Sequence, residues 1–124
     1  MDTVIETRGL TKRYGGDVCA LYDADVSVRR GDIFGVVGDN GAGKTTLLRV
    51  LSTLSRATSG SATLMGVDLK EDPDKARDHI GLISHNSLLY PDLTAEQNLM
   101  IYARLYGVVD PEARVLELLG IETL

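Results

Sequence analysis

A glycine-rich segment in the first half of the chain constrains its fold more than any other feature. Residues 38–46 read as a glycine, four further residues and then Gly-Lys-Thr, which is the pattern of a phosphate-binding loop. A short apolar run, residues 33–37, precedes the segment, and residues 44–54 follow it with leucine and valine at helical spacing. The order of buried strand, loop and helix is the context that this motif requires, so we expect an α/β chain.

Each residue type in this loop suits the binding of a phosphate chain. Glycines permit backbone conformations and close approaches that a β-carbon would obstruct, and the helix N-terminus adds unpaired N–H donors. Lys44 is placed to neutralise the β and γ phosphates, and the Thr45 hydroxyl is placed to ligate Mg²⁺. A chance glycine-rich turn is the alternative, and the flanking patterns disfavour it. The predicted nucleotide contacts are Gly38, Asp39, Asn40, Gly41, Ala42, Gly43, Lys44, Thr45 and Thr46.

Composition and charge exclude several other classes of protein. The 124 residues carry 13 basic and 18 acidic side chains, a net charge of -5, so we expect no nucleic-acid binding through bulk charge. The longest apolar run, residues 33–37, is too short to cross a bilayer, and the first residues lack the apolar core of a secretory signal. The single Cys19 excludes an internal disulfide.

Further strands and helices are predicted on both sides of the loop. Strands over residues 3–8 and 21–30, separated by Gly15 and Gly16, suggest a hairpin. Capping signals predict helices that begin after Asp72 and after Thr94. The helix that begins after Thr94 is predicted to end near residue 106. The remaining predictions are strands over residues 61–67 and 80–84 and a helix over residues 111–119.

The motifs of this chain, in the order in which they occur along the sequence, resemble the start of an ABC transporter nucleotide-binding domain. Such a domain is a P-loop NTPase of α/β fold. Besides the loop, the resemblance rests on Tyr14 in its context and on residues 58–61, 80–84, 90–94 and 96–99, and it covers essentially the whole chain. It implies ATP and Mg²⁺ as cofactors. It also implies a division into a mainly antiparallel β region (1–32), a P-loop core (33–92) and the start of a helical subdomain (93–124).

Three further site residues follow from the resemblance alone. It implies that Tyr14 stacks on the adenine ring and that Val18 lines the same ring, whereas without it Tyr14 is an ordinary strand-end tyrosine. His85 stands where the family usually has a glutamine that contacts the metal or its water. Because Mg²⁺ prefers oxygen ligands, we expect His85 to act on the γ-phosphate through water, or to have no ligand role. Lys44 and His85 are thus the catalytic candidates, and Thr45 and His85 the metal candidates.

The resemblance implies an ATP-hydrolysing subunit that drives transport, in the export direction, from the cytoplasmic face of the cell membrane. Its partners would be a membrane-spanning subunit and a second nucleotide-binding domain. His85 and residues 102–107 are similar to the ATP-binding subunit of haem exporters used in cytochrome c maturation, although other export systems share the second stretch.

The family's signature motif and its Asp-Glu (Walker B) strand have no counterpart in these 124 residues. We therefore expect the chain to correspond to the N-terminal half of such a domain, truncated before both motifs and not hydrolytically competent alone. Two alternatives stay open at this point. One is a nucleotide-binding fragment without turnover, and the other is a small-molecule P-loop kinase.

Overall fold

The computed structural model describes residues 2–41 and 43–120, which form two compact units, the first ending at Leu82 and the second beginning at Ile83. Within this described part of the chain, no helix is long and apolar enough to cross a membrane. The first unit contains β1 (Thr3–Tyr14), β2 (Val18–Arg29), α1 (Lys44–Leu51), β3 (Ser59–Leu64), β4 (Val67–Asp68) and α2 (Pro73–Arg77). The second contains α3 (Ala95–Leu105) and α4 (Pro111–Leu118).

The first unit is built on an antiparallel sheet in the order β2-β1-β3-β4. Its longest pairing is the predicted hairpin, in which β1 and β2 are joined through Gly15 and Gly16, both at positive φ. The hairpin is confirmed, and β1 is longer than predicted because it continues past a bulge at Gly9. There the backbone N–H of Gly9 donates to Asp25 Oδ1 at 2.7 Å, which holds the bulge in the sheet.

Helix α1 packs on this sheet and forms the core of the first unit. Leu47 and Val50, three positions apart on one helix face, contact Leu10 of β1 and Ala62 of β3, and all four are buried. The helix ends at Leu51 rather than at residue 54, so only part of the predicted apolar stripe faces the sheet. This packing fixes the position of the N-terminus of α1, where the glycine-rich loop begins the helix.

Two predicted strands are not formed. Residues 33–37 and 80–84 are irregular, and Ile33, Val37 and Ile83 are almost completely exposed. A strand needs backbone partners on a neighbouring strand, and neither segment pairs with any of the described strands, which form one antiparallel sheet. The prediction of strands at these two places is wrong for this chain.

The capping predictions are confirmed. Asp72 caps α2 by accepting a hydrogen bond from the backbone N–H of Lys75 at 3.2 Å. At the start of α3, Thr94 Oγ1 accepts from the backbone N–H of Gln97, and Gln97 Oε1 accepts from the backbone N–H of Thr94. Each cap satisfies N–H groups that the first helical turn leaves without partners.

The second unit is organised around the buried Asn98 of α3. Its side chain accepts from the backbone N–H of Tyr90 at 2.8 Å and donates to the carbonyls of Tyr90, Leu93 and Thr94. The hydroxyl of Tyr102 donates to the carbonyl of Leu88 at 2.7 Å. These bonds tie the irregular segment before α3 to the helix, and Val115 of α4 is buried in the same unit.

Candidate nucleotide-binding site

The glycine-rich loop enters α1 through a glycine that no other residue could replace without strain. Gly43 is the residue before the first helical turn and has φ +95°. A β-carbon placed on it would lie 2.6 Å from the carbonyl oxygen of Ala20 and 3.3 Å from Leu21 Cδ1. Gly41 also has positive φ, but a β-carbon there would meet nothing within 4 Å. Of these two glycines, Gly43 is therefore the one packed against β2.

The contact with Gly43 is made by a β-bulge in β2. Lys12 pairs with Leu21 and Arg13 pairs with Cys19, so Ala20 is an extra residue that has no paired residue in β1. A bulge twists a strand locally and changes the direction in which its backbone groups point. Here the Ala20 carbonyl meets the loop. The contact between Ala20 and the loop could not be predicted from the sequence, because a bulge is defined by the register between two strands.

The N-terminus of α1 has the donors and the charge that an anion site needs. No side chain caps this helix, and its first turn contains no acidic residue. The N-cap Gly43 therefore offers these N–H groups no side-chain acceptor, and no carboxylate of the first turn itself opposes the positive end of the helix dipole. A phosphate group is the natural acceptor for such a set of amides.

Lys44, the first residue of α1, lies over the loop that precedes it. Its side chain is half-buried, and Nζ donates a hydrogen bond to the carbonyl oxygen of Gly38, the first glycine of the motif. The ammonium group is thus held beside the loop backbone, where it adds positive charge to the amides. The arrangement fits a phosphate chain in both donors and charge.

The other predicted loop residues are placed as follows. Gly38, Asp39, Asn40 and Thr45 are exposed and Thr46 is half-buried, whereas Ala42 lies outside the described residues. Within the described ranges, no three His, Cys, Asp or Glu side chains come together to hold a metal ion. An exposed Thr45 hydroxyl suits Mg²⁺ that takes most of its ligands from phosphate and water, as this ion usually does.

Tyr14 and Val18 face each other across the end of the hairpin. They are directly opposite partners in the β1–β2 register, and both side chains are exposed. Directly opposite residues of an antiparallel pair project on the same face of the sheet. Val18 is two residues from Ala20, the residue that meets Gly43. The first unit therefore brings the loop and both predicted adenine contacts to the same end of β2.

Thr58 and the first residues of β3 contact β1 near its end. The backbone N–H of Thr58 donates to the carbonyl of Thr11 at 2.8 Å, and Thr58 Oγ1 accepts from the backbone N–H of Arg13 at 2.9 Å. Gly60 lies so close to β1 that a β-carbon would be 2.2 Å from the carbonyl oxygen of Gly9. These contacts give a structural reason for residues 58–61, which the sequence singled out only by resemblance.

His85 belongs to the second unit. It is exposed and lies on an irregular bend that follows residues 80–84. The predicted strand that was to carry it is not formed, so its part in a nucleotide site stays a prediction.

Comparison with known sequences finds proteins described as ATP-binding, in agreement with a phosphate-binding loop. The family described as ABC transporter matches residues 21–123. The probable multidrug ABC transporter ATP-binding protein YbhF of Escherichia coli (strain K12) is 45% identical over 107 residues, which are 86% of this chain and 18% of that protein. The doxorubicin resistance ATP-binding protein DrrA of Mycobacterium tuberculosis is 40% identical over 114 residues, which are 91% of this chain and 34% of that protein. The chain thus spans well under half the length of either relative.

Comparison with solved structures gives the same result for the fold. The chain superposes on the ATP-binding subunit of an ABC transporter with a TM-score of 0.81 and 29% sequence identity, covering 90% of this chain and 46% of that one. The fold is therefore the α/β P-loop NTPase fold of ABC-type ATP-binding subunits. From the extent of the family match and the agreement in fold, the chain belongs to the ABC transporter family.

Proposed function

We propose that this chain binds ATP with Mg²⁺ through residues 38–46, as the nucleotide-binding part of an ABC transporter ATP-binding subunit. The observation that carries the proposal is the loop itself. Gly43 is packed on the bulge at Ala20 and opens a helix whose first turn has neither a side-chain cap nor an acidic residue. Lys44 adds its ammonium group beside the same backbone.

Each residue has a distinct role in this proposal. The amides from Gly41 to Thr46 bind phosphate oxygens, and Lys44 exchanges its bond to the Gly38 carbonyl for the β and γ phosphates. The Thr45 hydroxyl is a ligand of Mg²⁺, which neutralises phosphate charge when bound. Tyr14 stacks on the adenine ring, and Val18, its partner across the hairpin, lines the edge of the ring.

In the whole protein we propose that ATP hydrolysis drives export across a membrane. Lys44 would stabilise the charge that develops on the transferred phosphoryl group, and His85 would act on the γ-phosphate through water. The names of the two relatives, which refer to multidrug transport and doxorubicin resistance, support an exporter. The partners would be a membrane-spanning subunit and a second ATP-binding domain, at the cytoplasmic face of the membrane.

The chain by itself binds nucleotide without turnover in this proposal. Hydrolysis depends on groups that position the attacking water and balance charge, and the sequence contains no Asp-Glu dipeptide to supply them. The proposed regions keep the boundaries given by the resemblance: antiparallel β up to residue 32, P-loop core to 92 and helical subdomain from 93.

Titration of the chain with Mg·ATP, with phosphate release measured in parallel, tests the proposal. Replacing Lys44 by methionine removes a charge-assisted hydrogen bond to phosphate, so we expect affinity to fall about 10- to 100-fold. Lys75→Met is the matched control, because Lys75 is exposed on α2 and should leave the affinity unchanged. Equal affinities of the Lys44→Met and wild-type chains would contradict nucleotide binding by this loop, and phosphate release by the chain alone would contradict binding without turnover.

A further inference from the structure

We infer that Lys12 is a positioning residue for the nucleotide base, because it holds the Tyr14 ring in the orientation on which adenine stacks. The inference rests on the proposed nucleotide binding and extends it to a residue that neither the motif nor the resemblance assigns. It is carried by three contacts of the Lys12 side chain and its surroundings.

The first contact is between Lys12 and the ring of Tyr14. The two residues are two positions apart on β1, so their side chains project on the same face of the strand. Lys12 Nζ lies over the ring, 5.0 Å from its centroid. This distance is inside the range of about 6 Å in which a cation is attracted to an aromatic face. One face of the ring is therefore directed toward a positive charge.

The second contact anchors the lysine to a different part of the chain. Lys12 Nζ donates a hydrogen bond to the carbonyl oxygen of Arg56 at 2.7 Å. Arg56 lies between α1 and β3, outside the hairpin that carries Tyr14. The ammonium group thus bridges the ring and a neighbouring segment, and the half-buried Lys12 side chain loses most of its freedom.

The third observation is that this neighbouring segment is itself fixed to β1. Thr58, two residues after Arg56, is bound to Thr11 through its backbone N–H and to Arg13 through its hydroxyl, as described above. The acceptor of Lys12 therefore lies close to a residue that is itself hydrogen-bonded to β1. A rotation of the Tyr14 ring would cost the cation–ring contact, so the ring is oriented before any ligand arrives.

Orientation of the ring in advance favours stacking. The Tyr14 side chain is 43% exposed, so ring surface is available to a base even though Lys12 covers one face. A side chain that is already ordered loses less entropy when a ligand binds to it. Lys12 should therefore strengthen the binding of a nucleotide with a base and have no effect on a phosphate chain that lacks one.

The test compares ATP with inorganic tripolyphosphate, both with Mg²⁺, as ligands of the wild-type, Lys12→Met and Lys12→Arg chains. Loss of an exposed cation–ring contact should weaken ATP binding by about two- to fivefold in Lys12→Met. Tripolyphosphate affinity should not change. Arginine retains both the charge and a hydrogen-bond donor, so Lys12→Arg should restore ATP affinity, and Lys75→Met should match the wild type.

A second arm repeats the measurement in a Tyr14→Leu background. Without the ring, Lys12→Met should produce no further loss of ATP affinity, because the lysine acts through Tyr14. A full additional loss in this background would overturn the inference, as would an unchanged ATP affinity in Lys12→Met. Equal weakening of both ligands would also overturn it, by assigning Lys12 to phosphate or to the fold.

Different results would overturn nucleotide binding by the loop and the positioning role of Lys12. A wild-type chain that binds neither ATP nor tripolyphosphate overturns the proposed function, and the inference with it. A wild-type chain that binds both, with Lys12→Met behaving as wild type toward each, overturns the inference alone.

Discussion

Substitution of Gly43 by alanine should damage the loop more than the same substitution at Gly41. Both glycines have positive φ, +95° and +86°, which a residue with a β-carbon rarely adopts. Forcing alanine into this conformation costs about 1–2 kcal/mol at either position. Only at Gly43 does the new methyl group meet the structure, 2.6 Å from the carbonyl oxygen of Ala20.

The difference between the two variants measures the contact with β2. Overpacking of one methyl group costs about 1–3 kcal/mol when the neighbours must move, and a backbone carbonyl in a paired strand moves less readily than a flexible side chain. We therefore expect Gly43→Ala to lower the free energy of unfolding by about 2–5 kcal/mol, the sum of the two costs. For Gly41→Ala we expect only the conformational cost of about 1–2 kcal/mol.

Urea denaturation followed by circular dichroism, at low protein concentration, measures these free energies. Gly16→Ala is a further control, because Gly16 has φ +75° at the hairpin turn with nothing within 4 Å of the added carbon. Affinity for Mg·ATP should fall most in Gly43→Ala, since the helix N-terminus must move away from β2. Equal losses of stability in Gly43→Ala and Gly41→Ala would show that the contact with Ala20 does not hold the loop against β2.

Two further predictions concern other parts of the chain. Asn98→Ala removes a buried side chain that bonds to the N–H of Tyr90 and to three carbonyls, and it should lower the free energy of unfolding by about 1–3 kcal/mol. The exposed Asn86 is its control, and equal urea midpoints of Asn98→Ala and Asn86→Ala would count against the prediction. Ile33 and Ile83 are fully exposed apolar side chains, so a double change to lysine should reduce self-association measured by light scattering. A wild-type chain that is already monomeric at the highest concentration tested would rule out this effect.

Much of the candidate site was predictable because the chemistry of the loop is local. The spacing of Gly38, Gly43 and Lys44 identifies a phosphate-binding loop, since amides that converge on a phosphate must come from successive residues. The caps at Asp72 and Thr94 were predictable for the same reason: a capping side chain bonds to an N–H two or three residues away.

The irregular structure of residues 33–37 and 80–84 could not be predicted from the residues of these segments. An apolar run indicates that a segment suits burial, but a strand exists only where a neighbouring backbone supplies hydrogen bonds. The described sheet offers these segments no such neighbour, and they are irregular and largely exposed. The hairpin was predictable because its two strands are joined by one short turn and pair with each other.

The order of residues along the chain was enough to predict a phosphate-binding loop at the start of a helix, and helices that begin after Asp72 and Thr94. The contact of the Ala20 bulge with Gly43, and the position of Lys12 over Tyr14 while bound to Arg56, are visible only in the folded chain. The difference arises from the distance along the chain over which each interaction acts. Caps and loops are closed by neighbouring residues, whereas a bulge or a bridging ammonium depends on the register of strands and on segments that are more than forty residues apart, as Lys12 and Arg56 are.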